Sequence, residues 1–127
     1  MGRQPLANAE LAIMELLWDE GRLTARQIRE RLYQPSERSQ HGTVQRLLQR
    51  LEDKGFVVRD KTFPVHFFSP TIGREEYASW QLESLAQRLT GGSLAPLITH
   101  LVQQRRLSPE EIERLRRILD EGGEEGG

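Results

Sequence analysis

Cysteine is absent from the 127 residues, which excludes a disulfide framework and thiolate chemistry, whether metal-binding or redox. No apolar run approaches the roughly 20 residues that a membrane-spanning helix needs. A signal peptide with a charged start and an apolar middle is not apparent either. The sequence therefore predicts no membrane insertion and reads as cytoplasmic. Histidines are few, and His41, His66 and His100 form neither a His-Glu-x-x-His motif nor a pair at i, i+4. The glycine pairs at 91–92 and 122–123 lack the Lys-Ser/Thr that completes a phosphate loop. Carboxylates abound without an evident catalytic partner. The expectation is no metal, no cofactor and no enzyme activity.

Lysine is also scarce: Lys54 and Lys61 stand against sixteen arginines, and Arg is the better fork for phosphates and base edges. The net charge of −1 hides an asymmetry. Residues 1–71 carry 11 basic and 9 acidic side chains, a balance of +2, whereas residues 72–127 carry 7 and 10, a balance of −3. Between Arg22 and Arg50, seven arginines face only Glu30 and Glu37. A polyanion would sit there.

Periodicity predicts three helices in the first part. Leu11, Ile13, Met14, Leu17 and Trp18 recur at helical spacing from a cap at Asn8 to about Glu20, and Gly21 ends the run. Thr24 and Gln27 form a capping box, with Leu23 and Ile28 as its staple. The second helix stops before Gln34-Pro35, and Leu23 is a candidate for a tiny strand. A polar connector, Pro35 to Ser39, leads to the third helix, roughly Gln40 to Lys54, with Gly55 as a left-handed cap. The period then changes. Phe56–Arg59 and Val65–Phe68 flank Asp60–Pro64 as a hairpin. Three helices followed by a hairpin is the order of a winged helix-turn-helix.

Beyond Pro70 the pattern is helical throughout. Ala78, Leu82, Leu85 and Leu89 share one stripe from about Glu75 to Thr90. Leu94, Leu97, Ile98, Leu101 and Val102 line a second helix. A third opens at Ser108-Pro109-Glu110-Glu111, a capping box with Pro at its favoured position, and presents Ile112, Leu115, Ile118 and Leu119. Three short helices carry more apolar side chains here than they can bury among themselves. Burial between two copies is the favoured reading; a lid over the first domain of the same chain is the alternative.

On a helical wheel of about 100° per residue, Val44, Leu47, Leu48 and Leu51 of the third helix form one apolar face. The opposite face holds Gly42, Arg46, Gln49 and Asp53, flanked by Thr43, Gln45 and Arg50. Arg forks onto guanine, Gln pairs with adenine, and the Thr methyl meets that of thymine. A solvated helix face would have similar composition. The element order, with Arg26, Arg29 and Arg31 on the preceding helix and Arg59 and Lys61 at the hairpin, favours DNA binding.

Several colinear stretches carry a resemblance. They are Ala9-Glu10-Leu11 with Met14 and Leu17-Trp18, then Thr43-Val44-Gln45-Arg46-Leu47-Leu48 with Arg50-Leu51, Lys54-Gly55 and Phe68-Ser69-Pro70, and finally Leu107 to Ile112. The chain resembles, over nearly its whole length, the penicillinase-repressor family (the BlaI/MecI/CopY type) of winged-helix transcriptional regulators. The resemblance implies a homodimer whose N-terminal domains bind a dyad-symmetric operator and block transcription, with the C-terminal helices forming the dimer. It implies base reading at Thr43, Arg46 and Arg50. It also implies release by proteolysis in the dimerisation region, triggered by a membrane sensor protease, or by metal at C-terminal cysteines in the copper branch. The chain departs at three places. Phe63-Pro64 replaces the family's Gly-Arg at the wing tip, His100-Leu101 replaces the Asn-Phe pair that is cut, and the cysteines are missing. The inducing signal and any sensor or protease partner stay unassigned.

The sequence thus predicts a mainly α protein with a small β-hairpin. A winged helix-turn-helix DNA-binding domain over 1–71 precedes an all-helical dimerisation region over 72–121 and a disordered acidic Gly-rich tail over 122–127. The expected function is a dimeric sequence-specific repressor whose partners are double-stranded operator DNA and a second copy. Thr43, Gln45, Arg46 and Arg50 would read bases, and Arg26, Arg29, Arg31, Arg59 and Lys61 would hold phosphates. The dimer interface would comprise Leu82, Leu85, Leu89, Leu94, Leu97, Ile98, Leu101, Ile112, Leu115 and Leu119. The alternative is a winged-helix protein-interaction module that does not bind DNA.

Overall fold

A computed structural model describes residues 5–34 and 40–126, with the side chains at 40, 119 and 121–126 outside the description. The expected connector at 35–39 and the Leu119 side chain therefore lie outside the described residues. The chain divides into two compact units, the first ending at Leu82 and the second beginning at Glu83.

The first unit contains α1 (Asn8–Glu20), β1 (Leu23–Thr24), α2 (Ala25–Leu32), α3 (Gln40–Asp53), β2 (Val57–Asp60), β3 (Phe67–Pro70) and the start of α4 (Arg74–Thr90). The strands form one antiparallel sheet in the order β1-β3-β2. This is the winged-helix arrangement, mostly helical with a small sheet. Ile13, Met14 and Leu17 of α1 meet Ile28, Val44, Leu48, Leu51, Phe56 and Phe68 in a core where each is at most 2% exposed. Burial of each such side chain is worth roughly 1.5–3 kcal/mol.

Local chemistry sets the element ends. Thr24 Oγ1 accepts from the Gln27 N–H at 3.1 Å, and the Thr24 N–H donates to Gln27 Oε1 at 2.9 Å, completing the capping box of α2. At the end of α3 the Phe56 N–H donates to the Leu51 carbonyl and the Gly55 N–H to that of Glu52, with Gly55 at φ 85°. That Schellman closure needs glycine. It also takes Phe56 out of the hairpin. The strands begin one residue later than the apolar run, at Val57, and pair Val57↔Pro70 through Asp60↔Phe67, leaving Val65 and His66 in the loop. Asp60 Oδ1 accepts from the Thr62 N–H at 2.9 Å, a turn that starts the loop early. Pro70 is tolerated in the central strand because β1 pairs only as far as Phe68 and Phe67.

Two further differences from the pattern concern α1 and α4. The helix α1 is capped at Ala7 and not at Asn8: the Ala7 N–H donates to the Glu10 carboxylate at 2.9 Å. Glu10 is 1% exposed and also receives Lys54 Nζ at 2.9 and 3.0 Å. Burial alone would raise its pKa. The hydrogen bonds from Lys54 and Ala7, with the charges of Lys54 and Arg50, outweigh that and hold it below the ordinary carboxylate value. In α4, the first turns belong to the first unit, where the sequence pattern placed a division after residue 71. Tyr77 is buried, its ring 5.7 Å from Phe56 and 6.0 Å from Trp18, and its hydroxyl accepts the Leu6 N–H at 2.9 Å. Trp18 Nε1 donates to the Ile72 carbonyl, and Arg74 pairs with Asp19 at 2.8 Å.

The second unit holds the rest of α4, α5 (Ala95–Gln103) and α6 (Pro109–Gly126). Ser108 and Glu111 exchange the two hydrogen bonds of a capping box at the start of α6. The backbone of α6 stays helical to Gly126, past Gly122 where a tail was expected; an interior glycine costs a nucleated helix only about 1 kcal/mol. Among the described residues of this unit only Ala86 is buried. Leu85, Leu89, Ile98, Leu101, Val102, Leu115 and Ile118 are exposed, and Leu94, Leu97 and Ile112 are half-buried. Ile98, Val102, Ile112, Leu115 and Ile118 line a groove of about 320 Å³ between α5 and α6. Ala78, expected on the stripe of α4, is exposed beside buried Tyr77.

Candidate nucleic-acid interface

The third helix turns its two faces in opposite directions, as its periodicity requires. Val44, Leu47, Leu48 and Leu51 are at most 7% exposed, which fixes the helix rotation. Gln45, Arg46, Gln49 and Arg50 are exposed, and Thr43 is half-buried. Short-range hydrogen bonds order several of these side chains. Arg46 Nη2 donates to Thr43 Oγ1 at 3.3 Å, Gln45 Nε2 lies 3.4 Å from His41 Nε2, and Gln49 donates to Asp53 at 2.9 Å. All three are exposed pairs that another partner can displace.

The five arginine and lysine side chains expected at phosphates fall into two groups. Arg26 is 77% exposed and makes only a loose 3.7 Å pair with Glu30, and Lys61 is exposed at the hairpin turn. Arg29 is half-buried, with its Nε enclosed and unpartnered among the described residues. The other two are engaged within the protein. Arg31 joins α2 to α1 through Glu20 at 2.6 Å and also donates to the Gln27 carbonyl within α2. Arg59, 19% exposed, joins β2 to α3 through Glu52 at 3.0 Å while its guanidinium lies 4.9 Å over the Phe68 ring. Both act as struts that hold the helices and wing in place.

The hairpin loop carries exposed apolar groups. Phe63 is 46% and Val65 57% exposed; the Phe63 ring meets Phe67 edge-on at 5.7 Å, and the Arg22 guanidinium lies 4.4 Å from the Phe67 centroid. Between the loop, α2 and α3 runs a groove of about 270 Å³ whose lining includes Arg26, His41, Gln45 and His66. Sequence reading missed this convergence because 25 residues separate the two histidines. It equally missed the Glu10–Lys54 pair, whose members stand 44 positions apart. Among the described residues no cluster of three or more His, Asp or Glu side chains is suited to hold a metal.

A family model described as "Penicillinase repressor" matches residues 6–121. The chain belongs to the penicillinase repressor family. It is 28% identical over 116 residues to the penicillinase repressor of Bacillus licheniformis, covering 91% of this chain and 90% of that one. It is 33% identical over 118 residues to the transcriptional regulator BlaI of Mycobacterium tuberculosis, covering 91% and 83%. The methicillin resistance regulatory protein MecI of Staphylococcus aureus is 25% identical over 115 residues, 91% of this chain and 93% of that one. A solved structure of Lactococcus lactis ZitR aligns with a TM-score of 0.47 and 19% identity over 99% of this chain and 79% of that one. The penicillinase repressor family is one of transcriptional repressors, not enzymes. No described helix is long and apolar enough to cross a membrane.

Proposed function

We propose that the protein is a dimeric, sequence-specific DNA-binding repressor that recognises a palindromic operator through α3. The observation that carries this reading is the two-sidedness of α3. Its leucine face is locked in the core while Gln45, Arg46 and Arg50 stand outward with Thr43 beside them. These side chains suit base edges in a major groove, and Arg26 and Lys61 flank them as phosphate contacts. A second copy would cover Leu85, Leu89, Ile98, Leu101 and Leu115, and two-fold symmetry would place half-sites about 34 Å, or a multiple, apart. Relatives named as penicillinase and methicillin-resistance regulators support the repressor role.

Selection of bound duplexes from a random library tests binding, palindromy and half-site spacing together. On the selected duplex, Arg46→Ala should cost about 1–3 kcal/mol and relax sequence preference. An unchanged ratio between selected and scrambled duplexes would remove α3 from base reading. A second reading, a protein-interaction module, draws on the exposed Phe63 and Val65 of the wing. It predicts no affinity for any duplex at low salt.

A further inference from the structure

The groove between α3 and the wing has a lining suited to one kind of guest. Arg26 enters from α2, His41 from α3 and His66 from the hairpin loop, and among the described residues no carboxylate lines it. Two acids on the helices that border it are engaged or easily released: Glu52 is held by Arg59 at 3.0 Å, and Glu30 pairs with Arg26 only at 3.7 Å on an exposed helix face, a contact of small net worth. Pro64, Val65 and Phe68 give the groove an apolar side, as a deoxyribose edge would need.

The histidines are arranged as donors. Arg59 Nη1 lies 3.5 Å from His66 Nδ1, and a guanidinium only donates. As a hydrogen bond, this contact uses Nδ1 as the acceptor and leaves Nε2 for an N–H. The Gln45 amide nitrogen lies 3.4 Å from His41 Nε2; as a hydrogen bond, this contact leaves Nδ1 of His41 for an N–H.

We propose that this groove seats one phosphate of the bound DNA strand where it passes from α3 to the wing. Arg26 supplies a fixed charge, and His41 and His66 supply N–H donors. The assignment deepens the repressor reading and rests on it. It gives the wing a backbone contact that needs no arginine at its Phe63-Pro64 tip.

The test measures affinity of the full chain for a selected duplex and for a mixed-sequence duplex across a salt series near neutral pH. Arg26→Ala should weaken both duplexes alike and reduce the salt slope by about 0.9, the value for one phosphate contact. His41→Ala and His66→Ala should each weaken both by about tenfold, the worth of a hydrogen bond to a charged acceptor. His66→Gln, which keeps an N–H donor, should recover much of the loss. A methylphosphonate at the contacted phosphate should abolish the difference between wild type and the histidine variants. If His66→Ala melts early, the exposed His41→Ala carries the same comparison. Wild-type affinity in His41→Ala and His66→Ala alike, or a changed ratio between the two duplexes, overturns the phosphate site and leaves the repressor reading standing. A wild-type chain that binds neither duplex at low salt overturns the repressor reading and the site together.

Discussion

The two units solve the problem of apolar burial differently. In the first, Ile13, Met14, Leu17, Ile28, Leu48 and Phe56 are sealed from water by their own chain. In the second, among the described residues only Ala86 is sealed, while Leu89 remains 66% and Ile118 55% exposed. Leucine and isoleucine occur in both, so composition does not explain the contrast. The first unit closes helices against a sheet, and each element covers a face of another. The second has only helices whose apolar sides exceed what their neighbours cover. Contiguous exposed apolar surface of this kind marks an interaction site, and a second copy is the occupant proposed above.

Substitution can sharpen or break that contrast. The largest effect belongs to the sealed unit: Leu48→Ala should lower unfolding free energy by about 2–5 kcal/mol through the cavity it leaves. Denaturant titration of the cooperative transition would read this. A cost below 1 kcal/mol would mean that α3 is not locked by its leucines. In the open unit, Leu101→Asp should leave the first unit folded but yield a monomer with operator affinity reduced about a hundredfold, as two linked half-sites become one. An intact dimer in sedimentation would remove α5 from the interface.

Smaller effects probe the ties within each unit. Glu10→Gln leaves Lys54 without its carboxylate and should cost about 1–2 kcal/mol at neutral pH, less than for a fully buried pair because Lys54 is partly solvated. The Glu10 pKa is depressed in the fold. Its contribution is therefore complete above the unfolded carboxylate value and disappears as pH falls through the lower folded one. Acid unfolding curves of wild type and Glu10→Gln should converge in that window; parallel curves would deny the coupling. The smallest change concerns the turn between α5 and α6, where Arg105 has φ 55°. Arg105→Gly should stabilise this turn by about 0.5–1 kcal/mol, visible as a small rise in the second unit's melting temperature.

Much of this was legible without coordinates where one residue's chemistry acts on near neighbours. Thr24 with Gln27, Ser108 with Glu111, and Gly55 at the end of α3 announce their caps within a few positions, because a helix end needs partners for its own orphaned groups. The face of α3 was legible too, since Val44, Leu47, Leu48 and Leu51 share one side of any helix they form. That periodicity determined which side chains could face a duplex. It did not determine which of them are free to do so.

That second question belongs to the tertiary structure, because it depends on groups far apart in sequence. Arg31 and Arg59 look as available as Arg26 in a string of letters, yet folding brings Glu20 and Glu52 to them and leaves Arg26 outward. Tyr77, read as lying beyond the first domain, is drawn into its core by Trp18 and Phe56. Helical spacing and capping are local and survive in any chain with this order of residues. Ion pairs, ring contacts and the meeting of His41 with His66 in one groove exist only once the chain has closed on itself.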